Sequence, residues 1–119
     1  MANTVTVTSY ERGTKQFRGL FTDMWAVKAT WTDQDAVADD VSVLVTLTVP
    51  GVALGDAIVV KPFMSVSQLS TGRVNIDAWV SAANTVSVVL TNVDETTDAL
   101  AADTFNDQTM KFVVGRPAW

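Results

Sequence analysis

Hydrophobic and polar positions alternate with a period of two along most of the chain, the mark of strands with one buried face. Residues 3–9 set Val5 and Val7 against threonines, and residues 24–32 place Trp25, Val27, Ala29 and Trp31 on one face. Residues 41–49 repeat the pattern with Val41, Val43, Val45, Leu47 and Val49, and Pro50-Gly51 ends that run, because proline lacks a ladder donor and glycine accepts positive φ. Residues 57–61 read as a short buried strand stopped by Pro62, and residues 63–72, without a clean period, read as a long connection. Residues 73–91 predict a β-hairpin: Val74, Ile76, Ala78 and Val80 precede a corner at 81–85, Val86, Val88 and Leu90 follow it, and Asn84 suits its left-handed backbone. The acidic stretch 94–107 contains DALAAD, which could form a helical turn, and residues 109–115 close the chain with Met110, Phe112 and Val114 inward. Seven or eight strands at these spacings predict an all-β fold, a two-sheet antiparallel sandwich of jelly-roll or immunoglobulin-like type. It is expected to be a single domain over residues 23–119, preceded by an N-terminal arm over residues 1–22.

The tryptophans complicate this pattern. Trp25 and Trp31 align with core positions, but Trp79 shares its parity with Arg73, Asn75 and Asp77 and so points away from the core. The expectation is an interface role for Trp79, the alternatives being a ring covered by a loop or left exposed. Trp119 follows Arg116, Pro117 and Ala118 and suits either a tail that crosses to a neighbour or a frayed terminus.

Composition narrows the chemistry. The 119 residues include no cysteine and no histidine, which removes disulfides, thiol nucleophiles, the commonest general base and the commonest transition-metal ligands. No nucleophile elbow, P-loop or dinucleotide fingerprint occurs, and neither Glu11 nor Glu95 lies in a recognisable catalytic motif, so no enzyme activity and no cofactor are expected. The segment TDQDAVADD offers Asp33, Asp35, Asp39 and Asp40 as oxygen ligands for calcium, but the later positions of an EF-hand loop hold Val37, Ala38 and Leu44. A solvated loop is the better reading, and no metal is expected. No apolar run is long enough to span a membrane, and residues 1–20 lack the continuous apolar stretch of a secretory signal, so use without Sec export is expected.

Charge adds one feature. The net charge is −5, yet residues 1–20 carry Arg12, Lys15 and Arg18 against Glu11, a local +2 on a body of −7. Tyr10, Phe17, Leu20 and Phe21 are interleaved with these cations. Such an arm suits docking to an acidic protein surface, while nucleic-acid contact and an ordinary loop packed back on the body are the other readings. The acidic whole opposes direct nucleic-acid binding. The candidate interface residues are therefore Arg12, Lys15, Phe17, Arg18, Phe21, Trp79 and Trp119.

Two corners carry a family resemblance. VPGVALGDAIVV at 49–60, followed by WVSAANTVSVVLTN at 79–92 and a closing strand, resembles a small β-sandwich domain of tailed-phage virion proteins, particularly head decoration or cement proteins. The matching residues are Val49, Pro50, Gly51, Gly55 and Asp56, then Ser81 to Val86 and Asn92, and the likeness spans about residues 41–115. These are turn and strand residues. The resemblance implies a virion protein on the outer capsid surface, made in the host cytoplasm and bound to a major capsid protein of the HK97 type. It would form a homotrimer at three-fold positions and cement capsomers against internal DNA pressure. The alternative of a different class is a tail-fibre or receptor-binding module that stacks exposed indoles on carbohydrate.

Overall fold

The computed structural model describes residues 3–13, 20–38, 40–66, 73–93 and 100–119. Seven strands form among them: β1 (Thr4–Gly13), β2 (Phe21–Asp33), β3 (Ser42–Thr48), β4 (Ala57–Phe63), β5 (Val74–Ala82), β6 (Thr85–Asn92) and β7 (Thr109–Pro117). They make a four-stranded sheet in the order β1-β2-β7-β4 and a three-stranded sheet in the order β3-β6-β5, with every pairing antiparallel. The all-β sandwich expected from the periodicity is therefore the observed fold.

The topology separates the two sandwich types. β2 pairs with β7 and β3 with β6, while β4 packs beside β5 where the sheets meet. These pairs are nested in the sequence, as in a long hairpin rolled up on itself, which is jelly-roll topology; immunoglobulin order would place the fifth strand, not the seventh, between β2 and β4. β1 lies outside the nest as an added edge strand, so much of the stretch expected to be an arm belongs to a sheet.

The core is the space between the inward faces. Trp25, Val27, Ala29 and Trp31 of β2 and Met110, Phe112 and Val114 of β7 meet Val45 and Leu47 of β3, Ile76 and Val80 of β5, and Val86, Val88 and Leu90 of β6, all buried. Connections seal the ends with Val37, Val49, Val52, Leu100 and Phe105, the last edge-on to Trp31 at 6.0 Å between centroids. Gln34, fully buried among them, donates from Nε2 to the carbonyls of Asp35 and Ala101 and accepts at Oε1 from the Phe105 amide.

Two expectations are corrected. The AIVV strand is not buried: β4 is an edge strand in which Ile58 is half-buried and Ala57, Val59 and Val60 are exposed. Its register slips between Ile58 and Val60, so the apolar run bends around the sheet edge instead of filling the core. Nor does Pro62 stop it; the strand continues to Phe63, because an edge tolerates a missing donor. In the DALAAD stretch, Asp98 and Ala99 lie outside the described residues; Leu100 bridges to Val37 and turns follow, without a helix among the described residues.

Candidate functional site

The two corners that carry the family resemblance interlock in space. Asn84 adopts φ 59°, donates its amide to the Val52 carbonyl and accepts the Val49 amide at its own carbonyl, while its Oδ1 accepts the Gly51 amide at 2.8 Å. Gly51 needs its φ of 97°, and a Cβ there would lie 2.9 Å from Nη1 of Arg12. Asp56 closes the same loop by accepting the Ala53 amide at Oδ2. The motif residues thus build one rigid end of the sandwich.

A charged cluster caps that end. Arg116 forks onto Asp56 through Nε and Nη2, both at 3.0 Å, and Nη2 also donates to the Gly51 carbonyl at 2.9 Å. Arg12 is ion-paired with Asp23, and both guanidinium groups lie over the ring of Trp25, at 4.8 Å for Arg12 and 5.2 Å for Arg116. The Trp25 indole donates to the Pro50 carbonyl. The Arg116 pKa is raised, first by its hydrogen bond to Asp56, against the opposing effect of burial. The paired cations neutralise the carboxylates and help to cover the Trp25 indole, which is fully buried.

Arg12 reaches Trp25 because of a bulge. The β1–β2 register shifts between Val7 and Ser9, so Val5 and Val7 face inward before it, and Tyr10 and Arg12 share the faces of Val27 and Trp25 after it. Arg12 is therefore engaged within its own domain. Lys15, Phe17 and Arg18 lie outside the described residues.

The remaining candidates occupy separate surfaces. Trp79 is 46% exposed on the outer face of the three-stranded sheet, opposite Ser87, which hydrogen-bonds to Ser81. Leu44 and Val89, opposite one another, share that face. Phe21 and Trp119 come together beside the β2–β7 strand ends, their centroids 6.0 Å apart, with the Ala118 amide bonded to the Leu20 carbonyl. Phe21 lies across Gly115, where a Cβ would approach its Cδ1 to 2.7 Å and Val59 Cγ2 to 2.8 Å. Trp119 itself is 82% exposed.

Sequence reasoning missed a further surface, the outer face of the four-stranded sheet. Cross-strand register lays it out in rows: Ser9, Lys28, Lys111 and Phe63; then Glu11, Ala26, Val113 and Val60; then Gly13, Met24, Gly115 and Ala57. A groove of about 400 Å³ crosses the first two rows. Outward parity at Lys28 and Lys111 was legible in each strand, but only the pairing of β2 with β7 sets them side by side. The Asp33, Asp35 and Asp40 carboxylates join no cluster of three metal-ligating side chains among the described residues, and Asp39 lies outside them. In comparisons with known proteins, no family model, no curated protein and no solved structure matches this chain.

Proposed function

We propose that the protein is a head decoration protein of a tailed phage, bound as a homotrimer to the outside of a capsid built from an HK97-type major capsid protein, where it cements neighbouring capsomers. The observation that carries this reading is the distribution of exposed apolar side chains over both outer faces of the sandwich. Trp79 and Leu44 lie on one sheet face, and Val60 and Phe63 on the other, which continues past Gly115 to the half-buried Phe21 and the exposed Trp119 packed on it. A module with one ligand site needs one such surface, whereas a subunit of a shell that touches sister copies and capsomers needs more than one. Three tethered copies would turn modest individual contacts into strong attachment. The family resemblance of the two corners supports the same reading.

The test is sedimentation with undecorated, expanded capsids. Decoration predicts co-sedimentation at a fixed stoichiometry, and purified Trp79→Ala should remain folded while its attachment or trimerisation weakens. The indole is outside the core, so its loss should lower the melting temperature far less than Trp31→Ala, a core truncation costing about 3–5 kcal/mol. The second reading has its own observation: Trp79 shares its face with Asn75 and Asp77, an aromatic ring beside polar groups that suits sugar stacking. Glycan binding without capsid binding would establish that alternative.

A further inference from the structure

Resting on the decoration reading, we propose that the groove across the outer face of the four-stranded sheet docks an acidic segment of the capsid partner, a carboxylate flanked by an apolar side chain. Lys28 and Lys111 are direct cross-strand partners on β2 and β7. Like charges directly opposite one another destabilise a sheet, so the isolated fold gains nothing from this pair. Among the described residues neither lysine takes part in an ion pair, although the chain carries 13 acidic residues against 8 basic ones. The contrast with Arg12 and Arg116 is direct, since both of those cations are engaged by carboxylates.

The groove supplies the rest of a binding surface. It is lined by Glu11, Ala26, Lys28, Phe63, Lys111 and Val113, and Phe63 is 51% exposed beside Lys111. Two lysines against one glutamate leave it locally positive on a molecule of net charge −5. A neutral apolar ligand would not need the lysine pair, and a basic one would be repelled by it. An acidic segment satisfies both cations, removes their mutual repulsion and buries its apolar neighbour on Phe63, Ala26 and Val113. Glu11 at the rim opposes the ligand and limits its affinity.

The experiment is capsid co-sedimentation over a salt series, using undecorated shells as the probe, with wild type, Lys28→Glu, Lys111→Glu and Glu11→Gln. Each lysine reversal places opposite charges across the β2–β7 pair, so melting temperature should stay level or rise, while attachment weakens by about tenfold or more at low salt and loses part of its salt dependence. Glu11→Gln should tighten attachment, a gain that misfolding cannot imitate. If wild type binds shells but the lysine variants bind equally well with an unchanged salt slope, the groove is not the docking site and the decoration reading stands. If wild type fails to bind shells at all, the decoration reading falls and takes this docking proposal with it.

Discussion

Asn84 meets two demands that few residues meet together, a left-handed backbone and a side-chain acceptor for the Gly51 amide. Asn84→Ala should lose both and cost about 1–2 kcal/mol, whereas Asn84→Gly keeps the backbone and should cost about half as much, an order that urea unfolding of the two variants would check. Arg116 carries a different kind of prediction. Its folded pKa is raised above the unfolded value, so the stabilisation it gains on folding is complete below the unfolded value and is lost only as pH rises through the folded one, in strongly alkaline solution. The stability gap between wild type and Arg116→Met should therefore stay constant from neutral to mildly alkaline pH, as measured by denaturant unfolding across that range. A gap that closes near neutrality would mean that Arg116 is not the group holding Asp56 and Gly51 at this end.

Between elements, what was legible in the sequence depended on whether a strand kept its parity. β2, β3, β5, β6 and β7 alternate without interruption over their core positions, and their inward residues, with Trp79 outward, follow directly from the pattern. β4 slips register inside its apolar run, and its burial was misjudged; in β1 the inward Val5 and Val7 were legible, but the shift before Ser9 was not. The bulge after Val7 carries Arg12 onto Trp25, and the slip after Ile58 exposes an apolar run that looks buried, because periodicity records spacing and not the pairing partner. The lysine groove was hidden for the same reason, since it exists only once β2 and β7 are adjacent. Connections are harder still. Gln34 has no periodic signal, yet it fastens β2 to the chain at Ala101 and Phe105. Gln34→Leu should leave the buried Phe105 amide without its acceptor and cost about 1–3 kcal/mol, seen as a lower urea midpoint with an unchanged slope.

In the whole molecule, the nested pairing makes the two ends of the chain unequal. β7 lies between β2 and β4 and contributes Met110, Phe112 and Val114 to the core, so it joins the last strand to the second and fourth. β1 touches only one strand of its sheet and adds the half-buried Val5 and Val7 at the margin. Removing residues 1–13 should leave a six-stranded jelly roll that still unfolds cooperatively, though at lower temperature, because the Arg12 cap on Trp25 is lost as well. The same deletion turns β2 into an edge of 13 residues without a proline, a template for pairing with another copy. The truncated protein should therefore show native-like tryptophan fluorescence together with concentration-dependent self-association in gel filtration. Truncation before Thr109 removes the strand that unites the four-stranded sheet and should abolish cooperative unfolding altogether. If loss of β1 proved as damaging as loss of β7, the nested strands would not be the folding unit, and the first strand would have to be counted as part of the core.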